Sequence, residues 1–270
     1  MARFFILLAI LTAAAAQATA QAASLGFDSN EYPGDASLAK LHQTFAYTGY
    51  WLNNPPGASR NPWAGHRAAV ESAGFGFLVV FNGRLYAQLK TVANAKRFGT
   101  SDAQAATATA QREGFAKGTI IFLDQEQGGR MLPEQQAYIY AWVDGVIAAG
   151  FRAGVYCSGM PATDDGNVVT AEDIRAHAAG REISYWVTND ACPPAPGCAF
   201  PPHPPSPAQS GVGFAEVWQF AQSPQRKDVA GHCSNYDRDG NCYAPSGAAS
   251  RFFVDVNAAK SPDPSHGRSH

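Results

Sequence analysis

The feature that most constrains the fold is an alternation of short apolar segments with amphipathic ones along almost the whole chain. Eight apolar segments are predicted to be strands: residues 25–28, 47–52, 76–81, 119–126, 153–157, 183–187, 216–220 and 252–257. Five amphipathic segments between them are predicted to be helices: residues 35–44, 66–73, 101–114, 133–149 and 171–179. Such alternation is typical of parallel strands joined by crossover helices. We therefore expect an α/β fold, a single-domain (β/α)8 barrel of the TIM type, for which about 250 residues is the usual length.

The N-terminal segment, residues 1–22, has the pattern of a secretory signal peptide. Arg3 supplies a positive start, residues 4–11 an apolar core, and residues 18–20 or 20–22 a small-residue cleavage site. The apolar core is much shorter than the ~20 residues that span a bilayer, which favours cleavage over a retained membrane anchor. We expect a secreted protein, extracellular or periplasmic, with no membrane contact after cleavage. The barrel should then occupy residues 23–260, and the polar residues 261–270 should form a disordered tail.

Charge and motif content exclude several classes of function. The chain has 20 Lys and Arg against 22 Asp and Glu, with a pI near 6.4. No positive field would gather phosphate backbones, so nucleic acid is not an expected partner. Ser158 lies outside any G-x-S-x-G pattern and no H-E-x-x-H occurs, which argues against serine hydrolases and zinc proteases. We expect a monomer that uses no cofactor and no metal.

The five cysteines suggest local disulfides. In an exported protein, closely spaced cysteines pair readily. We predict two disulfides and one unpaired cysteine within an apolar strand; the residues are Cys192 with Cys198, Cys233 with Cys242, and the lone Cys157. A zinc site that combines these cysteines with His203 or His232 is the alternative, but the spacings match no standard ligand pattern.

Two segments in the C-terminal half are predicted to be loops. Residues 192–208 are rich in proline, which excludes a helix or a central strand and predicts a stiff loop inserted at the barrel rim. Residues 235–241, NYDRDGN, carry oxygen ligands at alternate positions, as calcium loops do. Ser246 stands where an EF-hand has its acidic ligand, so a turn closed by a disulfide explains the segment equally well.

The segment 118–129, GTIIFLDQEQGG, carries the main chemical signal. A short apolar strand ends in Asp124 and Glu126, which alternation places on one face, ~7 Å apart. Two acids in a partly desolvated cleft repel each other, so that one tends to stay protonated while the other is charged. This asymmetry suits cleavage of a glycosidic bond. A strand followed by an ordinary polar turn is the alternative if the motif stands alone.

Other side chains suited to a sugar ligand occur at the ends of the predicted strands. Barrel enzymes place their sites at the C-terminal ends of the strands, where Asp28 and Asp255 would join Asp124 and Glu126. Aromatic rings pack against the C–H face of a pyranose, while amides and hydroxyls bind its hydroxyl groups. The candidates for substrate binding are Tyr50, Trp51, Tyr156, Trp186, Trp218, Gln219 and Asn257.

The order of these motifs resembles a known family. GFDSNEY, IIFLDQEQGG, GVYCSG, SYWVT, VWQF and FVDVNAA follow one another as in glycoside hydrolase family 25 lysozymes. The overall pattern is more similar still to secreted bacterial glycoside-hydrolase-like domains of unknown function related to those lysozymes. The resemblance covers nearly all of residues 25–258 and implies a TIM-type barrel that acts on a polysaccharide, peptidoglycan, and cleaves after N-acetylmuramic acid.

The resemblance also implies roles for the acids. Glu126 matches the general acid, and Asp124 matches the partner that orients the substrate acetamido group or stabilises positive charge. Asp28 and Asp255 match the flanking acids of the first and eighth strands. The segments YTGYWLNNPPG and GFLVVFNGR depart from the polar pattern of active lysozymes. The alternatives are therefore a glycan-binding barrel without turnover and a hydrolase of another N-acetylated polysaccharide.

Overall fold

The computed structural model describes residues 22–191, 203–221 and 254–269, and these residues form one closed barrel of eight strands with helices outside it. The predicted barrel is confirmed. Its strands are β1 Ser24–Asp28, β2 Tyr47–Trp51, β3 Gly76–Asn82, β4 Ile120–Asp124, β5 Arg152–Ser158, β8 Ile183–Thr188, β9 Val217–Ala221 and β10 Asp255–Ala259. A small hairpin of β6 Pro161–Ala162 and β7 Val168–Val169 follows β5. The helices are α1 Asp35–His42, α2 Arg67–Ser72, α3 Tyr86–Leu89, α4 Val92–Glu113, α5 Pro133–Ala148 and α6 Thr170–Ala176.

The direction of the last strand differs from the prediction. Within the barrel, all neighbouring strands from β1 to β9 are parallel, but β10 is antiparallel to both β9 and β1. The inward and outward alternation of side chains is the same in either direction, so the sequence pattern carries no information on this point. Since β10 is reversed, its first residue, Asp255, lies beside Asp28 at the C-terminal end of β1. The predicted segment 252–257 therefore placed Asp255 at the correct end of the barrel but at the wrong end of its strand.

Helix α4 is longer than predicted. The sequence predicts a helix over residues 101–114, whereas α4 begins at Val92, after Thr91, whose hydroxyl accepts a hydrogen bond from the Asn94 N–H. Gly99 lies inside this helix, and a Cβ there would be 2.3 Å from the Tyr138 carbonyl oxygen of α5. The glycine that weakens the helical pattern thus allows the two helices to pack closely.

Glycines also shape the interior of the barrel. Phe122 of β4 lies against Gly154 of β5, where a Cβ would be 2.4 Å from the ring. Tyr47 of β2 lies in the same way against Gly26 of β1, with a Cβ 2.2 Å from the ring. The aromatic rings occupy the space next to the glycines and fill the interior of the barrel. The interior beneath the C-terminal end is therefore packed with side chains.

The polar C-terminal segment is ordered, contrary to the predicted disorder of residues 261–270. In residues 261–269, the Ser265 N–H donates to the Phe77 carbonyl at 2.8 Å, and the Ser265 carbonyl accepts from the Ile120 N–H at 2.8 Å. The Val79 N–H donates to the Ser265 hydroxyl at 2.8 Å. The polar composition of the segment suggested disorder. The sequence could not show that its hydrogen-bond partners are backbone groups of β3 and β4, because these groups come together only when the barrel closes. The segment closes the N-terminal end of the barrel.

Several predictions fall outside the described residues. These are the signal peptide, nearly all of the first 22 residues; the two disulfides; the segment 235–241; and the first part of the Pro-rich loop. Cys157 is described and is a buried free thiol in β5, as predicted. No helix within the described parts of the chain is long and apolar enough to cross a membrane.

Candidate active site

The four predicted acids line a single cavity of about 420 Å³ at the C-terminal end of the parallel strands. Asp28 ends β1, Asp124 ends β4, and Asp255 begins the reversed strand β10. Glu126 lies two residues beyond the end of β4, in the loop rather than in the strand where the sequence predicted it. Residues far apart in the chain are therefore brought together at one barrel mouth, where α/β barrels carry their sites.

Aromatic rings form part of the cavity wall. Trp51, Tyr156 and Trp186 reach it from β2, β5 and β8, and the rings of Tyr156 and Trp186 lie 4.5 Å apart between centroids. Gln219 of β9 also lines the cavity. The remaining residues that line the cavity were not predicted: Asn30, Pro56, Val80 and Leu85. Three of them lie in loops that follow strands, and the sequence pattern does not predict the path of a loop. Val80 lies in β3 and has no polar group that would mark it as a site residue.

A hydrogen-bond network holds Asp28 in place. Its Oδ2 accepts from Asn257 Nδ2 at 2.7 Å and from Gln219 Nε2 at 3.0 Å. The Tyr156 hydroxyl donates to Gln219 Oε1 at 2.8 Å, and Trp186 Nε1 donates to Asn257 Oδ1 at 2.8 Å. Each amide therefore has its carbonyl oxygen bound, which orients its NH2 group toward Asp28. Asn257 is fully buried behind the cavity and contacts the site through Asp28.

The backbone around Asp28 is positioned by its neighbours. A Cβ at Gly49 of β2 would be 2.7 Å from the Asp28 Cβ, so glycine at this position leaves room for the carboxylate. The Ser29 carbonyl accepts from Trp51 Nε1 at 3.1 Å and from Trp63 Nε1 at 3.0 Å. Two buried indoles thereby fix the loop that leaves the site after β1.

Asp124 lies in a strongly perturbed electrostatic environment. Its pKa is raised well above the usual aspartate value, mainly by burial, then by the negative charges of Glu126 and Asp28 and by a hydrogen bond with Glu126. The carboxyl group therefore keeps its proton at pH values where an exposed aspartate is ionised. Glu126 is exposed at the cavity mouth, so Asp124 is the buried member of the predicted acid pair.

Tyr156 is a neutral hydrogen-bond donor over a wide pH range. Burial raises the pKa of its phenol well above the usual tyrosine value, and the charges of Asp124, Asp28 and Glu126 raise it further. Its hydroxyl group consequently remains available to orient Gln219.

Two predicted sugar-binding aromatics lie outside the cavity. The Tyr50 hydroxyl donates to Glu113 Oε2 of α4 at 2.6 Å, on the outside of the barrel. Trp218 is fully buried, and its Nε1 donates to the Asn189 carbonyl at 2.8 Å. Tyr50 is next to Trp51 in β2, and Trp218 is next to Gln219 in β9. Because successive side chains of a strand point to opposite faces and Trp51 and Gln219 face inward, Tyr50 and Trp218 face outward. Within the described parts of the chain, no group of three or more His, Cys, Asp or Glu side chains is arranged to hold a metal ion.

Solved structures with a similar fold include a secreted protein, a spore cortex lytic enzyme and a glycosyl hydrolase. Rv2525c, a Tat-secreted protein of Mycobacterium tuberculosis, has a TM-score of 0.51 and 14% identity, over 90% of this chain and 96% of its own. The spore cortex lytic enzyme SleM of Clostridium perfringens has a TM-score of 0.52 and 16% identity, over 88% and 68%. GHIP, a glycosyl hydrolase 25 of Streptococcus pneumoniae, has a TM-score of 0.51 and 11% identity, over 87% and 86%.

The sequence itself assigns the family. No curated protein matches the chain closely. The model of the Rv2525c-like, glycoside hydrolase-like domain matches residues 44–203, which is more than half of the chain and includes β2 to β8. The chain therefore belongs to the Rv2525c-like, glycoside hydrolase-like domain family.

Proposed function

We propose that the protein is a secreted glycoside hydrolase that cleaves an N-acetylated cell-wall glycan, with muramidase-type action on peptidoglycan. The observation that carries the proposal is the convergence of Asp28, Asp124, Glu126 and Asp255 in one cavity with aromatic walls. The spore cortex lytic enzyme and the glycosyl hydrolase 25 among the similar folds support this substrate class. Secretion is supported by the N-terminal sequence and by the Tat-secreted relative.

In the proposed mechanism, the pair of Asp124 and Glu126 holds one proton. Glu126 lies at the exposed mouth and donates the proton to the glycosidic oxygen as the bond from that oxygen to the anomeric carbon breaks. Asp124 holds this proton in the free site and passes it to Glu126 through the hydrogen bond between the two carboxyl groups; once charged, Asp124 accepts a hydrogen bond from the N–H of the substrate acetamido group. Water then adds to the anomeric carbon and returns a proton to Glu126.

Asp28 and Asp255 are proposed to stabilise the positive charge that develops on the sugar. They lie side by side on β1 and β10, across the cavity opening from β4. Asp28 accepts two amide N–H groups, so its carboxylate is held in one position before substrate arrives. A fixed negative charge of this kind stabilises an oxocarbenium-like transition state without reorganisation during the reaction.

The test is release of reducing ends from purified peptidoglycan by the wild type and by Glu126→Gln. The amide cannot donate a carboxyl proton, so we expect the variant to lose at least ~100-fold in rate. Glu182→Gln is the matched control, since Glu182 is exposed before β8 at the opposite end of the barrel and should leave the rate unchanged. Equal rates for wild type and Glu126→Gln would refute the role of Glu126 as the acid.

The second candidate function is a glycan-binding barrel without turnover. The observation that favours it is the exposure of Glu126 at the cavity mouth, because a general acid of a glycosidase usually lies in a desolvated part of its site. This candidate predicts that the wild type and Glu126→Gln are both retained on insoluble peptidoglycan while neither releases product.

A further inference from the structure

A second groove adjoins the acid-lined cavity. It has a volume of about 650 Å³ and lies between the loops that follow β1 and β2, with residues 30–32 on one side and 56–60 on the other. Asn30 and Pro56 line both the groove and the cavity. A chain bound over the acids would therefore extend a substituent directly into this groove.

The walls of the groove are held in place before any ligand binds. Asn30 Nδ2 donates to the Pro56 carbonyl at 3.2 Å, which ties one loop to the other. Asn61 Nδ2 donates to the Trp51 carbonyl at 2.8 Å, and the Trp63 N–H donates to Asn61 Oδ1 at 3.0 Å. The groove is thus built by side-chain hydrogen bonds and does not depend on an irregular loop alone.

Two opposite charges in the groove have no partner within the described residues. The side chains of Arg60 and Glu31 are both exposed, and neither forms an ion pair or hydrogen bond with another described residue. Arg84, by contrast, is bound through two nitrogens to Asp102, at 2.6 and 2.8 Å. Arg60 and Glu31 are therefore available to a ligand.

An aromatic wall lies beside these charges. Tyr32 stacks on His66 with a centroid separation of 4.0 Å and packs edge-on against Trp63 at 5.1 Å. Its hydroxyl donates to Asp35, so the ring is fixed at both ends. A flat wall beside one cation and one anion matches a ligand with apolar groups, a carboxylate and an ammonium.

We propose that this groove binds the peptide side chain of a peptide-substituted glycan, with Arg60 on a carboxylate and Glu31 on an ammonium group. The proposal rests on the proposed function and narrows its substrate class. Uncharged pyranose rings are recognised by hydroxyl partners and aromatic faces and require no pair of full charges. A short peptide attached to the glycan carries both charges, and a guanidinium suits a carboxylate well.

The experiment compares two ligands prepared from one cell wall: soluble glycan chains that keep their peptides, and chains of the same length stripped of peptides by an amidase. Binding to the full-length protein is measured by calorimetry. We expect the wild type to bind peptide-bearing chains more tightly, and Arg60→Ala to lose about fivefold in affinity for them while binding bare chains unchanged. The difference should shrink at high salt, because exposed charges are screened.

Arg152→Ala is the matched control, since Arg152 is an exposed arginine at the start of β5, at the other end of the barrel, and forms no ion pair with another described residue. It should retain the wild-type preference. Glu31→Gln should weaken binding of peptide-bearing chains alone. Equal wild-type affinity for both ligands, or an unchanged preference in Arg60→Ala, would overturn the proposal.

Failure of this inference and failure of the proposed function give different results. If only the inference fails, bare chains are still bound and reducing ends are still released. If only hydrolysis fails, no reducing ends appear but the preference for peptide-bearing chains remains and still depends on Arg60. Binding of neither ligand by the wild type would overturn both.

Discussion

At the scale of single residues, the proton on Asp124 links the site to stability. The carboxyl group is buried beside Glu126 and Asp28, and its pKa is raised above the usual aspartate value. The folded protein keeps this proton at pH values where the unfolded chain has released it. The free energy of unfolding therefore falls as pH rises above ~3.9, until pH passes the folded pKa.

Asp124→Asn should consequently stabilise the protein at neutral pH. The amide resembles the protonated acid in shape and cannot ionise, so we expect the free energy of unfolding at pH 7 to rise by about 1 kcal/mol, a gain typical of replacing strained functional groups. The gain should vanish below about pH 4, where the unfolded chain also holds the proton. Urea unfolding at several pH values measures both.

Asp102→Asn provides the control of opposite sign. Asp102 is also buried, but it accepts from Arg84 and from the Tyr138 hydroxyl, so its negative charge is satisfied. Removing that charge should destabilise the protein at pH 7. A stability gain for Asp124→Asn that is equal at pH 4 and pH 7 would contradict the assignment of the proton.

At the scale of elements, the C-terminal segment, residues 261–269, binds the backbone of β3 and β4 at the N-terminal end of the barrel. β3 begins three residues before its pairing with β4 starts at Val79 and Ile121, and Ser265 binds the backbone groups exposed there. The Gly267 carbonyl also accepts from buried Arg67 at 2.8 Å. Without this segment, several buried donors would have no acceptor.

A chain that ends at Lys260 should therefore be less stable, by about 2–4 kcal/mol for several hydrogen bonds at about 1 kcal/mol each. Ser265→Ala, which removes one of them, should lose about 1 kcal/mol. Thermal unfolding measures both, and hydrogen exchange should be fastest at the Phe77, Val79 and Ile120 amides of the shortened chain.

Lys260→Ala is the control for the shortened chain. Its ammonium pairs with Glu216 at 3.0 Å on the surface, and such pairs contribute little. Unchanged stability of the chain that ends at Lys260 would show that the segment only covers the barrel.

At the scale of the whole molecule, one hydrophobic core runs through the barrel and under its helices. The five tryptophans lie in this core at different positions around the barrel: Trp51 in β2, Trp63 after β2, Trp142 in α5, Trp186 in β8 and Trp218 in β9. All are at most 4% exposed. Their fluorescence therefore reports on the entire barrel.

Urea unfolding should accordingly follow a single transition, with tryptophan fluorescence and far-UV circular dichroism giving the same midpoint. A barrel closed through β1 and β10 cannot release one strand without opening the sheet. Two separated transitions would show that part of the barrel unfolds independently.

Much of the fold could be predicted from the sequence because strand and helix periodicities are local properties. Apolar segments near all eight strands, and Asp28 and Asp124 at strand ends, follow from patterns within a few residues. The same patterns did not predict which of two adjacent residues faces the cavity when both were suited to bind a sugar. Tyr50 and Trp218 were predicted alongside Trp51 and Gln219, and alternation allows only one of each pair to face the cavity.

The sequence alone determined which residue types stand at the strand ends and therefore what chemistry the barrel mouth offers. The tertiary structure alone decided that β10 runs in reverse, that Asp255 lies beside Asp28, and that Asp124 is a buried acid whose pKa is raised. It also decided that residues 261–269 are ordered. The physical reason is that strand direction, burial and the partners of a polar segment depend on contacts between residues far apart in the chain, which exist only once the barrel has closed.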